Sequence, residues 1–135
     1  MNPYSEIKAI ASCFYDAWNR RDLEQSFSDF VAGDLVNETM DGSFTREKWL
    51  NFDLAFLAAC PDLELHIKAQ FQEGNRVVTH WYCHGTHKNE FFGMPASGKT
   101  IALMGISIDG IVNGKIKEHL AVADFTQFMQ QFAGK

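Results

Sequence analysis

Between Leu63 and Gln72 apolar and polar residues alternate without a break: Leu63, Leu65, Ile67, Ala69 and Phe71 against Glu64, His66, Lys68, Gln70 and Gln72. A period of two sends successive side chains to opposite faces, so the stretch predicts a strand with one buried face. Glu73-Gly74-Asn75 supplies a turn, and residues 76–87 read as the next strand. After a loop over residues 93–98, residues 99–112 read as a long strand, Asn113-Gly114 as a hairpin turn and residues 115–123 as the last long strand. Strands this long must twist and bend. Gly105 and Gly110 are the expected bend or bulge points.

Upstream the period changes. Asn2-Pro3 is a good helix start, and Ile7, Ile10, Ala11, Phe14 and Trp18 follow one helical face. The break lies over residues 19–22, and Asp22 is placed to cap a second short helix that runs to about Phe30. A short strand is expected over residues 34–40 and a turn at Asp41-Gly42. Thr45 can cap a third helix that ends before Pro61, and an amphipathic helix over residues 125–132 closes the chain. Helices first and a meander of long strands afterwards is an α+β pattern, in one domain spanning residues 1–135. A bent sheet closed by helices leaves a conical cavity, and an apolar outer face would pair with a second copy of the chain, so a homodimer is expected.

Composition narrows the function classes. The chain is 46% hydrophobic, with twelve Phe and three Trp, enough for a core and for an apolar ligand site. Its net charge of −5 and the lack of a basic patch argue against nucleic acid. No stretch has the length of a membrane span, and residues 1–10 have no apolar signal core, so a cytoplasmic location is expected. Cys13, Cys60 and Cys83 are odd in number and form no C-x-x-C, which fits reduced thiols. No G-x-S-x-G, Walker A or G-x-G-x-x-G sequence occurs. His80 and His84 share a strand face about 13 Å apart at ~3.3 Å per residue, too far to share one metal ion, and no metal is expected.

Several short stretches carry a family likeness in their order and spacing. They are Cys60-Pro61-Asp62-Leu63, Glu73-Gly74-Asn75-Arg76-Val77-Val78, and Trp81 with Gly85-Thr86-His87. Further on come Glu90-Phe91-Phe92-Gly93-Met94-Pro95, Ser97-Gly98-Lys99, Gly105-Ile106, and Asn113-Gly114-Lys115-Ile116 with Glu118-His119. Ala17-Trp18-Asn19 and Leu35-Val36-Asn37 add to them. Together they resemble the SnoaL-like polyketide cyclases, also called predicted ester cyclases, of the nuclear-transport-factor-2-like superfamily. The resemblance implies a cone with a ligand inside, a dimer or tetramer, and an intramolecular aldol ring closure that needs no metal or organic cofactor. It also implies a catalytic aspartate three residues after the Glu of Glu118-His119, and that position is Ala121. Ser107 stands where relatives often carry an acid or a His. By the same resemblance Trp18, Asn37 and Ser107 line the pocket, with Trp49 on the helical wall.

Two residues are candidates for proton transfer. His119 shares a strand face with Lys117 and Ala121 by period two, while Ile116, Leu120 and Val122 share the other. If Ala121 faces the cavity, His119 does too, and a neutral imidazole can take or give a proton near pH 7. Its plain alternative is a hydrogen-bonded structural His. Asp53 lies about 200° around the third helix from Asn51, at about 100° per residue, and so points among Trp49, Phe56 and Leu57. A carboxylate there has a raised pKa and can stand in for the missing aspartate. Its alternative is a slightly different helix register that leaves it at the solvent edge. Asp124 is read as the cap of the last helix. Three functions stay open: a cofactor-free acid–base enzyme on a small apolar carbonyl compound, a non-catalytic small-molecule binder, and a dimerising interaction module.

Overall fold

The computed structural model describes residues 3–39 and 44–133, with side chains from Glu6 onward. Its elements are α1 (Pro3–Arg20), α2 (Leu23–Phe30), β1 (Val31–Asn37), α3 (Arg46–Ala59), β2 (Glu64–Glu73), β3 (Arg76–Thr86), β4 (Thr100–Val112), β5 (Lys115–Ala123) and α4 (Phe125–Phe132). The five strands form one sheet in the order β1-β5-β4-β3-β2. All neighbours are antiparallel except β1, which runs parallel to β5. This is the expected α+β cone: a bent mixed sheet, with helices packed on its concave face.

The helices form where the sequence periodicity places them. α1 buries Ala11, Phe14, Tyr15 and Trp18 along one stripe. Thr45 caps α3 by accepting the Lys48 N–H, and Asp124 caps α4 by accepting the Gln127 N–H. Asp22 precedes α2 without a side-chain cap bond; its carboxylate pairs instead with Arg20 at 3.3 Å. β1 begins at Val31, three residues before the expected start, directly on the end of α2. The expected turn at Asp41-Gly42 lies outside the described residues, as do Asn2 and Met40.

Two side-chain amides cover strand backbone that no strand pairs. Asn19 Nδ2 donates to the Leu65 carbonyl at 2.9 Å and its Oδ1 accepts the Leu65 N–H at 2.8 Å, on edge strand β2. Gln131 holds Ala102 of β4 in the same two-bond way, at 2.8 Å each. Both residues fix a helix against the sheet and satisfy groups that are costly to bury unpaired.

Two bulges break the strict alternation, and each moves side chains to the face that the sequence did not predict. In β2 the register shifts between Ile67 and Ala69. Beyond it Phe71 is exposed, and Gln70 bonds Ser12 at 2.7 Å and Thr79 at 3.2 Å. In β5 the register shifts opposite Gly110/Ile111, where Gly110 pairs with Glu118 but Ile111 with Ile116. Lys117 is the extra residue. It pairs with Asp34 at 2.9 Å, while Ile116 and His119 are both buried. The expected face shared by Lys117 and His119 is therefore broken, and Ile116 joins the core.

Gly110 thus lies at a bulge, as expected, but Gly105 does not. A Cβ at Gly105 would come 2.4 Å from the Trp81 indole, its cross-strand partner. Glycine is needed there because the ring lies against the backbone. At the β4–β5 turn both Asn113 and Gly114 have positive φ, 53° and 77°, as a tight two-residue hairpin requires.

Candidate active site

A cavity of about 180 Å³ opens inside the cone, between α1, α3 and the concave faces of β3, β4 and β5. Phe14, Trp18, Trp49, Phe52, Phe56 and Trp81 give it an aromatic wall, with Leu65, Cys83 and Leu103 beside them. Its polar side chains are few: Tyr15, Asn37, Thr39, Asp53, Ser107 and His119. All seven residues singled out from the sequence, Trp18, Asn37, Trp49, Asp53, Ser107, His119 and Ala121, line this one cavity.

His119 sits at the centre of the polar group. Its ring stacks on Trp49, with centroids 3.9 Å apart and planes 16° from parallel. Its Nδ1 lies 2.6 Å from Asp109 Oδ1. The other Asp109 oxygen accepts the Tyr15 hydroxyl at 2.5 Å. Tyr15, Asp109 and His119 are all buried, and Asp109 is fully so. A carboxylate can only accept, so in this bond Nδ1 is the donor. Among the described residues Nε2 has no hydrogen-bond partner, and the ring lines the cavity. Burial, and next the Asp109 charge, push the Tyr15 phenol well above its ordinary range, which keeps it a donor.

Asp109 and Tyr15 escaped the sequence reading. The signal for Asp109 was a single carboxylate inside the apolar run from Ile106 to Ile111. Counted back from Asn113-Gly114 without a bulge, Asp109 would pair with Glu118; the extra Lys117 sets it opposite His119. Tyr15 was hidden in the helical stripe of α1, beside Phe14.

Asp53 faces the cavity from α3. It is half-buried, and its accessible part opens onto the apolar cavity that it lines. Desolvation pushes its carboxyl well above the ordinary carboxylate range, and a hydrogen bond from Trp49 works against this. Trp49 stacks on one candidate proton carrier, His119, and stands one helical turn before the other, Asp53.

The remaining polar groups are tied down. Trp81 Nε1 donates to Ser107 Oγ at 2.8 Å. Asn37 Oδ1 accepts the Thr39 N–H, and Thr39 Oγ1 accepts the Ala121 N–H, both at 2.9 Å. Ala121 itself presents only a methyl group where the resemblance implies a carboxylate. Cys83 also lines the cavity, but burial pushes its thiol up to about 12, and that of Cys60 likewise, so neither is a ready nucleophile.

The profile of the SnoaL-like polyketide cyclase family matches residues 8–132. Among solved structures, AclR of Streptomyces galilaeus, provisionally assigned as a hydroxylase, superposes with a TM-score of 0.87 at 26% identity, over 98% of both chains. IdmH of Streptomyces antibioticus, provisionally assigned as a polyketide cyclase, gives 0.77 at 26% identity, over 93% of this chain and 96% of its own. A SnoaL-like protein of Jannaschia sp. CCS1 gives 0.84 at 16% identity, over 100% and 97%, a likeness of fold. No curated protein matches the chain significantly.

Proposed function

Because the chain belongs to the SnoaL-like polyketide cyclase family, we propose that it is a cofactor-free acid–base enzyme acting on a small, largely apolar carbonyl compound, as an aldol cyclase, isomerase or related catalyst. The observation that carries this reading is the His119 ring, held by Asp109 through Nδ1 and lining an apolar cavity, with no partner on Nε2 among the described residues. In this scheme Nε2 removes a proton from the carbon next to the carbonyl. Asp53, which burial disposes to hold its proton, donates to the carbonyl oxygen, and an enol results. In a ring closure the enol carbon then attacks a second carbonyl of the same molecule. The proton on His119 passes to the new alkoxide, and the O–H of the enol returns its proton to Asp53. Asp109 stabilises the imidazolium while it lasts, and Tyr15 holds Asp109 in place. Trp18, Asn37 and Ser107 shape and orient the substrate.

The cavity volume bounds the reacting part of that substrate. An apolar cavity of about 150 Å³ takes a benzene ring. The 180 Å³ here suits one or two fused rings, with any further scaffold extending out of the opening. The test is deuterium exchange next to the carbonyl of simple aryl ketones in D2O, followed by NMR. The wild type should speed the exchange and His119→Ala should not. Equal rates for the two proteins would refute the enzymatic reading.

Ala121 favours a second reading, a non-catalytic binder of the same class of molecule. Binding without exchange, seen as quenching of Trp fluorescence by the ketone, would support it over the first. For either reading we propose a homodimer through the outer sheet face, where Met104, Ile106 and Val122 are exposed and Ile106 pairs with Val122. Val122→Glu should shift the mass measured by light scattering to that of one chain. Among the described residues no helix is long and apolar enough to cross a membrane.

A further inference from the structure

We propose that the outer face of the β2–β3 edge binds a divalent late transition-metal ion, with zinc as the reference case, through Glu64, His66 and His84. Glu64 and His66 stand two residues apart on β2 and so project from the same face. Glu64 is the cross-strand partner of His84 on β3. One ligand atom from each of the three lies within 4.8 Å of the other two. His84 Nε2 is 3.8 Å from Glu64 Oε2, and the two imidazoles stack with centroids 5.6 Å apart and planes 11° from parallel.

This face is separate from the cavity. Leu65 and Cys83 alternate with the three residues along the same strands and point into the cone. The site is thus independent of the acid–base reading. It also differs from a set built on His80 and His84 of one strand, whose spacing is too long.

A tetrahedral ion with bonds of about 2.0–2.1 Å holds its ligand atoms roughly 3.4 Å apart. The three groups need to close by little more than an ångström, and Glu64 and His66 are exposed and free to turn. Two imidazoles and one carboxylate suit zinc, nickel or copper, whereas calcium and magnesium prefer oxygen alone. Three protein ligands leave a fourth position for water. Lys68 of the same strand has its Nζ 5.7 Å from the Tyr82 ring centre. An ion held here clamps edge strand β2 to β3.

Isothermal titration calorimetry of the untagged, chelator-stripped full chain with zinc chloride tests the site. The wild type should take up one equivalent and melt at a higher temperature with zinc than without. His66→Ala and His84→Ala should each remove both effects, and His80→Ala should leave them unchanged. Circular dichroism checks that the variants fold; His66 is exposed, and His80 and His84 are half-buried. No stoichiometric uptake by the wild type, or uptake that survives the loss of both His66 and His84, would overturn the proposal.

Discussion

Asp109 and His119 are cross-strand partners whose side chains meet at 2.6 Å inside the sheet, because β5 carries one residue more than β4 in the hairpin that joins them. That geometry ties Nδ1 to the carboxylate in a ring that lines the cavity. Asp109→Asn keeps the shape but offers an amide that can bond Nδ1 in either sense. We expect activity on an exchangeable ketone to fall by about 10²- to 10⁴-fold, the usual range for loss of positioned acid–base catalysis. The chain should still fold by circular dichroism. Unchanged exchange rates would remove Asp109 from the account.

Tyr15→Phe deletes the second bond to Asp109 and leaves a buried carboxylate oxygen without its partner. A hydrogen bond to a charged group is worth about 1.5–3 kcal/mol. Urea unfolding should show a loss of that order.

Asp53 gives a pH signature with a definite sign. Its folded pKa lies well above the ordinary value of 3.8, so in the window above 3.8 the folded state holds more protons than the unfolded chain. Stability from this group is therefore present at low pH and lost as pH rises through the raised pKa, by at most about 1.4 kcal/mol per pH unit. Asp53→Asn removes the titration. The difference between wild type and variant, measured by urea unfolding from acid to neutral pH, should move against the wild type as pH rises. A difference that stays flat would show that Asp53 is not desolvated.

Gly105→Ala drives a methyl group into the Trp81 ring, which in turn holds Ser107. Overpacking of this kind costs about 1–3 kcal/mol. The unfolding midpoint should drop and the Trp fluorescence should shift.

Cys13 is exposed while Cys60 and Cys83 are buried with thiols pushed up to about 12. A thiol reagent should label one cysteine in the native protein and three in denaturant.

The helices and strands were legible because burial follows period: the α1 stripe and the β3–β5 strands sit close to where the sequence puts them. The seven cavity residues were found through α3 periodicity and the family likeness. What the sequence hid were departures from period. The bulge in β2 turned Phe71 outward, and the one in β5 separated Lys117 from His119. A bulge leaves no mark in alternating apolar residues, so the Asp109–His119 partnership could not be counted from the turn. Asp22 misled for a different reason: a nearby Arg20 competes for the carboxylate that would have capped α2.

The most direct measurement is a long-range ¹⁵N–¹H correlation spectrum of the His119 imidazole, recorded with and without an aryl ketone. The proton should be found on Nδ1, and the Nε2 resonance should move when the ketone is added. A proton on Nε2, or an Nε2 signal indifferent to every ketone that enters the cavity, would contradict the role given to His119.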